Sequence, residues 1–257
     1  MKINTIIFKI TLICLLFLPL NLYASDLLKI DRYVNRIIID PGLGGENKGA
    51  EGCSEGVFVK DINLAISKTL SSVIQSQLGI EVLLTRQNDN KLSLEERIEI
   101  INDSQSDLLI SIQTNYHENS RAKGIETYYL NLVIDDRKLA EWVEKQPSYK
   151  NSSGELQNII KDLLVNSKIS ESETVAEHVQ KSVYKHLIEI FPEVEDRGIK
   201  QAPFYILLGS NIPSIAIFTG FLSNPKDCKM LLSEKFRKEL SVGIVKGIIA
   251  FVNDKNL

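Results

Sequence analysis

The sequence predicts an α/β fold: a single domain with a mixed, mostly parallel sheet of about six strands flanked by helices. Short aliphatic runs of strand length alternate along the chain with longer segments that carry apolar residues at helical spacing. No internal repeat or low-complexity stretch interrupts this alternation. The chain has 257 residues and 44% hydrophobic content, which is enough to build one sizeable core.

The predicted strands are short runs of aliphatic and β-branched residues bounded by turn residues. The first run ends in the turn pair Pro41-Gly42, which predicts a buried strand that stops there. The runs cover residues 35–40, 80–85, 108–112, 124–130, 204–208 and 215–218.

The predicted helices carry an apolar stripe on one side. One helix begins after Ser93, an N-cap residue with Glu96 placed as its capping-box partner. Pro192 ends another, an amphipathic helix over residues 175–191. Further helices are predicted over residues 60–77 and 234–252, and two more, separated by a polar break, within residues 131–171.

Residues 1–24 are predicted to be a signal peptide. Lys2 and Lys9 supply positive charge, residues 10–20 are apolar, and Ala24 is a small residue at a plausible cleavage point. The apolar run is about half the length that a membrane-spanning helix needs, so no stable membrane span is expected after cleavage. We therefore expect export to the periplasm or cell envelope, with residues 25–257 forming the domain.

Charge and cysteine content restrict the partners and the compartment. Losing Lys2 and Lys9 would move the formal net charge from -3 to about -5, which opposes nucleic-acid binding. Cys53 and Cys228 remain after cleavage. An oxidising compartment would allow a disulfide between them, and two separate thiols are the alternative.

Several ordered motifs carry a family resemblance. Residues 37–45 read IIIDPGLGG, residues 109–115 read LISIQTN, and residues 213–225 read PSIAIFTGFLSNP. These segments resemble the zinc-dependent N-acetylmuramoyl-L-alanine amidases of the amidase_3 type, in which the frames read DPGHGG, SIHAN and VExGFxSN. The family also has a Glu directly before a KDxNL segment, which resembles KDINL at residues 60–64. The resemblance spans roughly residues 35–252 and implies a phosphorylase/hydrolase-like fold.

The resemblance implies three zinc ligands and a catalytic Glu, but other residues stand at those positions. Leu43, Val59 and Gln113 occupy the ligand positions, and Phe218 occupies that of the Glu. Three of these side chains have no lone pair for a metal or a proton, and a neutral amide is a weak zinc ligand. We therefore predict a degenerate member with no zinc, no other cofactor, and a site closed over by apolar packing. The residues expected to remain in a remnant cleft are Asp40, Asn63, Gln113, Asn115 and Thr219.

The predicted function is that of a catalytically inactive, exported amidase-like protein that binds peptidoglycan or an envelope protein that regulates amidases. The alternative is an active amidase that hydrolyses the bond between N-acetylmuramic acid and L-Ala through a displaced metal site. His117, four residues after Gln113, is the histidine considered for such a site.

The insertion at about residues 131–171 resembles a helical segment that covers the cleft in some family members until a partner displaces it. The alternative is a helix that packs on the edge of the domain. The predicted regulatory residues are Leu156, Ile159, Ile160 and Leu163.

Overall fold

Six strands form one sheet in the computed structural model, which describes residues 33–130 and 155–255, with side chains for 33–130 and 166–255. The strands are β1 (Arg36–Pro41), β2 (Glu81–Leu84), β3 (Leu108–Asn115), β4 (Ile125–Leu130), β5 (Asp196–Ala202) and β6 (Ser214–Phe221). Their order is β2-β1-β3-β6-β4-β5. Strands β1, β2, β3 and β6 are parallel, whereas β4 is antiparallel to β6 and β5 is parallel to β4. The predicted fold class, a mixed and mostly parallel sheet flanked by helices, is confirmed.

Within the described residues, six helices accompany the sheet. They are α1 (Val59–Leu78), α2 (Leu94–Asp103), α3 (Glu155–Ile188), α4 (Tyr205–Gly209), α5 (Pro225–Leu232) and α6 (Glu234–Lys255). The capping box predicted for α2 is confirmed: the backbone N–H of Glu96 donates to Ser93 Oγ at 3.1 Å, and that of Ser93 donates to the Glu96 carboxylate at 2.7 Å. The capping box thereby satisfies two backbone donors at this helix end.

The two faces of the sheet are covered differently, because successive side chains of a strand point to opposite faces. One face is aliphatic and packs against α1, α3 and α6 in the larger hydrophobic cluster. The other face packs Ile38, Leu109 and Ala216 against Ile101 of α2 and Leu207 of α4. Burial on both faces explains why β1, β3 and β6 read as nearly continuous apolar runs.

Two elements differ from the sequence prediction around residues 196–209. The run predicted as a strand over 204–208 is the short helix α4, which directs Leu207 and Leu208 into the core. The strand on this side is instead β5, a polar edge strand that the sequence did not suggest. Its pairing with β4 includes a register shift near Gly198, whose φ is +71°. The ladder to β4 outweighs the weak strand propensity of this segment.

The sequence predicted two separate helices after the polar break, one within residues 131–171 and one over 175–191. The structure has a single continuous helix over 155–188 in their place. Neither Gly nor Pro occurs between residues 155 and 188, so nothing in the sequence terminates it. Three predictions fall outside what the structure describes. They concern the signal peptide at 1–24, residues 131–154, and the side chains of Leu156, Ile159, Ile160 and Leu163. The predicted regulatory role of the insertion stays a prediction.

A disulfide joins Cys53, in the loop before α1, to Cys228 in α5. The two Cα atoms are 6.1 Å apart and the residues are 175 positions apart in sequence. The structure therefore has the disulfide and not the two separate thiols. Within the two described ranges, no helix is long and apolar enough to span a membrane.

Candidate functional site

The loop after β1 adopts an unusual backbone conformation at the first predicted ligand position. Leu43 has φ +64°, which is uncommon for a bulky residue. Arg97 fixes the loop by donating to the carbonyl oxygens of Pro41, at 2.9 Å, and of Leu43. Arg86 adds a hydrogen bond to the carbonyl oxygen of Gly42 at 3.1 Å. Two guanidinium groups therefore hold this loop in its conformation.

Asp40, a predicted cleft residue, anchors this arrangement beneath the loop. Its Oδ1 accepts from Arg97 Nη1 at 2.8 Å and from Thr85 Oγ1 at 2.6 Å. Its Oδ2 accepts from Ser111 Oγ at 3.2 Å. The side chains of Asp40 and Arg97 are only 3% and 9% exposed. Asp40 and Arg97 thus form a buried, hydrogen-bonded ion pair that positions the loop.

Leu43 and Val59, at two predicted ligand positions, both pack against Gly49. A Cβ at Gly49 would lie 2.6 Å from Leu43 Cδ1 and 2.8 Å from Val59 Cβ, so only glycine fits between them. Val59 is buried in the larger hydrophobic cluster, and Leu43 packs against that cluster. Apolar surface occupies this part of the site.

Gln113 and Phe218 are paired in register on the neighbouring strands β3 and β6. Gln113 Nε2 donates to Ser111 Oγ at 3.0 Å, and the amide lies directly over Gly42. The ring of Phe218 packs edge-on against Tyr128, with centroids 5.1 Å apart, and its centroid is 5.5 Å from that of Phe204. Phe218 therefore belongs to an aromatic cluster and Gln113 to a hydrogen-bond network.

The other predicted cleft residues lie in separate networks. Asn63 donates from Nδ2 to the carbonyl oxygen of Gly42 at 3.1 Å and accepts from Thr114 Oγ1 at 2.8 Å. Thr219 donates from Oγ1 to the carbonyl oxygen of Gln113 at 3.1 Å. Asn115 instead donates from Nδ2 to Glu126 at 2.8 Å. Through Ser111, Asp40 and Gln113 share one network. Asn63 and Thr219 lie on either side of Thr114, whose Oγ1 is 3.3 Å from Thr219 Oγ1, and Asn115 joins a third network.

That third network, which sequence reasoning missed, is centred on Glu126 of β4. Glu126 lies in register with Phe218, and its side chain is 4% exposed. Arg197 Nε donates to Oε2 at 2.7 Å, Lys200 Nζ donates to the same oxygen, and Tyr128 OH donates to Oε1 at 3.1 Å. Arg197 and Lys200 lie three residues apart on β5, and their spacing became informative only once β5 was known to be a strand.

Electrostatics in this network favour the ionised carboxylate. Burial alone would raise the pKa of Glu126, but the hydrogen bonds from Lys200, Arg197 and Asn115 together outweigh burial and hold the pKa below its ordinary value. Burial is also the main reason that the pKa of Tyr128 rises to about 12, and the neighbouring Glu126 adds to this shift. At neutral pH the network therefore holds one negative and two positive charges.

The donor set at the four family positions does not fit a zinc ion. Leu43, Val59 and Phe218 present only carbon, and Gln113 offers one neutral amide oxygen. Across residues 33–130 and 166–255, where side chains are described, no three or more His, Cys, Asp or Glu residues cluster as a metal site would require. His117 is exposed, and its Nδ1 accepts from the backbone N–H of Asn119 at 3.0 Å.

Comparisons with known proteins agree with the fold. A family model described as N-acetylmuramoyl-L-alanine amidase matches residues 37–250. The N-acetylmuramoyl-L-alanine amidase AmiA of Escherichia coli K12 is 28% identical over 224 residues, covering 84% of this chain and 75% of AmiA. The crystal structure of an N-acetylmuramoyl-L-alanine amidase from Clostridium difficile 630 superposes with a TM-score of 0.67 at 30% identity, covering 87% of this chain and 100% of that one.

A further structural relative was solved together with another protein. The CwlD amidase from Clostridioides difficile, in complex with the GerS lipoprotein, superposes with a TM-score of 0.64 at 28% identity. The match covers 86% of this chain and 99% of CwlD. Motifs, sheet topology and family match agree, and the chain belongs to the N-acetylmuramoyl-L-alanine amidase family.

Proposed function

We propose that this chain is a catalytically inactive member of the family that is exported and binds peptidoglycan. The observation that carries the proposal is the set of residues at the four family positions: Leu43, Val59, Gln113 and Phe218. A zinc hydrolase needs three ligands and an open position for water, together with a group that transfers protons. Two of the four side chains instead pack against one glycine, and a third is part of an aromatic cluster.

Binding without hydrolysis is chemically consistent with this arrangement. Ligands of open α/β sheets bind outside the carboxyl ends of the parallel strands, where loops and side chains of several strands converge. The loop after β1 and the ends of β3 and β6 lie at this edge. Loss of the metal ligands removes the chemistry, while the surrounding surface still offers groups for recognition.

An active amidase with a displaced metal site is the competing proposal, and membership of the amidase family favours it. Such an enzyme would need at least one ligand set elsewhere. His117 is the histidine closest in sequence to the family site, and it already accepts a backbone hydrogen bond in an exposed loop.

Two further observations bear on compartment and partners. Disulfides persist in oxidising compartments, so the Cys53–Cys228 bond supports export. CwlD in complex with the GerS lipoprotein supports a regulatory envelope protein as an additional partner class. In this proposal, Leu156, Ile159, Ile160 and Leu163 are the contact residues for such a partner.

The test combines binding, metal content and activity on one preparation. The purified protein is incubated with purified sacculi, with AmiA as the positive control for stem-peptide release. We expect the protein to sediment with the sacculi, to contain no stoichiometric zinc, and to release no stem peptide. One tightly bound zinc per chain together with peptide release would establish the competing proposal. Protein left in solution would contradict peptidoglycan binding and leave the envelope partner as the function to test.

A further inference from the structure

The Glu126 network lies beside the family site, on the same face of the sheet. Gln113, Phe218 and Glu126 are register partners on β3, β6 and β4, so they form one row. Gln113 and Glu126 are two strand spacings apart, a distance of about 10 Å. The next strand, β5, carries Arg197 and Lys200 at the same edge. The network is thus within reach of a ligand that occupies the family site.

Glu126 is saturated with hydrogen bonds, but its basic partners are not. The carboxylate accepts from four side chains, which matches its capacity of about four lone-pair sites. Arg197 uses only Nε, and its two terminal nitrogens make no hydrogen bond to any side chain or backbone atom of the described residues. The side chains of Arg197 and Lys200 are 32% and 34% exposed. Two cations against one carboxylate leave one net positive charge that is accessible to solvent.

Aromatic rings restrict both basic side chains. The guanidinium of Arg197 lies over the ring of Phe221, 5.1 Å from its centroid. Lys200 Nζ lies 5.8 Å from the ring centroid of Tyr128. Together with the bonds to Glu126, these contacts fix the two cations before any ligand arrives, which lowers the entropy cost of binding. A guanidinium with both terminal nitrogens available is suited to hold a carboxylate with two parallel hydrogen bonds.

We propose that Arg197 and Lys200, positioned by Glu126, bind a carboxylate of the peptidoglycan stem peptide. The inference rests on the proposed function, because it assigns the part of peptidoglycan that is recognised. An extended peptide advances about 3.3–3.6 Å per residue, so a stem that starts at the family site covers the roughly 10 Å to the Glu126 network in about three residues. Recognition is therefore directed at the charge of the stem and not at its sugar.

The test compares two forms of one ligand. The probe is N-acetylmuramoyl-L-alanyl-D-glutamyl-L-lysine, and its counterpart has each carboxyl group converted to a carboxamide. Isothermal titration with the purified protein is expected to give a dissociation constant about tenfold lower for the carboxylate form, since hydrogen bonds to charged groups are the stronger ones. Arg197→Gln should raise the dissociation constant for the carboxylate form about tenfold, and Arg197→Lys should restore part of the loss.

Arg36→Gln is the matched control. The Arg36 side chain is also 32% exposed and also bonds a glutamate through Nε, here Glu81 at 2.8 Å, but it lies at the opposite end of β1. We expect this variant to bind like the wild type. Thermal unfolding of each variant verifies that it is folded, and Lys200→Gln provides a second variant of the site.

The outcomes separate the inference from the proposed function. Binding of sacculi by the wild type, with no difference between the two probes or between wild type and Arg197→Gln, would overturn the inference alone. Failure of the wild type to bind sacculi and both probes would contradict the proposed function and the inference together. Both the proposed function and the inference would be supported if the wild type binds the carboxylate probe more tightly than the carboxamide probe, and if Arg197→Gln abolishes this preference while Arg36→Gln keeps it.

Discussion

Asp40 and Glu126 lie on the same face of the sheet, and each binds a basic side chain, yet the two clusters differ in what the basic group does. Arg97, which binds Asp40, is 9% exposed, and its nitrogens donate hydrogen bonds to that carboxylate and to three backbone carbonyl groups. Arg197, which binds Glu126, is 32% exposed and makes one hydrogen bond to the described residues. The first cluster holds a loop and the second presents a charge. Burial and donor use distinguish the two roles, whereas residue type does not.

The Asp40 cluster also explains what holds the loop after β1 in its conformation. A leucine at φ +64° costs on the order of 1–3 kcal/mol, and such strain persists only where the surroundings enforce it. The guanidinium groups of Arg97 and Arg86 supply that enforcement through the carbonyl groups of residues 41–43. The frame of the family site is therefore maintained independently of the residues that occupy it.

The largest effect is expected from a graft of the family residues into this frame, Leu43→His with Val59→Glu, Gln113→His and Phe218→Glu. Two carboxylates would enter apolar surroundings, so the free energy of unfolding should fall by roughly 4–8 kcal/mol in the absence of zinc. Added zinc should restore only part of this loss, because the surroundings of the ligands are not arranged for them. Urea unfolding with and without zinc measures both quantities.

Leu43→His alone is the control for the graft. Histidine adopts positive φ more readily than leucine, so this single change should alter stability little. A graft that binds one zinc tightly and unfolds like the wild type would show that the frame around the Asp40 cluster still forms an open metal site.

The second prediction contrasts the two arginines directly. Arg97→Met leaves Asp40 buried without its charge partner and should lower the free energy of unfolding by about 3–5 kcal/mol. Arg197→Met removes a partly exposed ion pair and should cost no more than about 1 kcal/mol. Chemical unfolding followed by circular dichroism compares the two variants. Equal losses would remove the distinction between a structural and a ligand-binding arginine.

The third prediction uses the disulfide to separate stability from binding. Cys53→Ser with Cys228→Ser releases the loop that precedes Val59 and should lower the free energy of unfolding by about 2–4 kcal/mol. Neither cysteine contacts the Glu126 network in any hydrogen bond or ion pair of the described residues, so binding of the carboxylate probe should not change. A parallel titration of the wild type and the double variant checks this, and a loss of binding would mean that the two regions are coupled.

Sequence reasoning reached the parts of the fold that have strong local signals. The strands over 36–41 and 108–115 are aliphatic and buried on both faces, and the motifs beside them gave the family positions directly. Strand β5 was not predicted, because its polar residues adopt the strand conformation only through pairing with β4. The Glu126 network was missed for the same reason, since its five members come from β3, β4 and β5. The sequence did not decide whether Cys53 and Cys228 pair, because the two cysteines are 175 positions apart.

The smallest effect is expected from the pH dependence of the Glu126 cluster. The folded-state pKa of Glu126 lies below the ordinary value of 4.5, so the cluster contributes stability above that pH and loses it as the pH falls through the folded-state pKa. The contribution should be roughly 1 kcal/mol, because Arg197 and Lys200 are one-third exposed and solvent screens the pairs. Glu126→Gln should therefore unfold more easily than the wild type at pH 7, and the difference should shrink below pH 4.5. Urea unfolding of both proteins across this range measures the difference. A difference that grows on acidification would mean that folding favours the protonated carboxyl, and Glu126 would then be unable to hold two cations in place for a ligand.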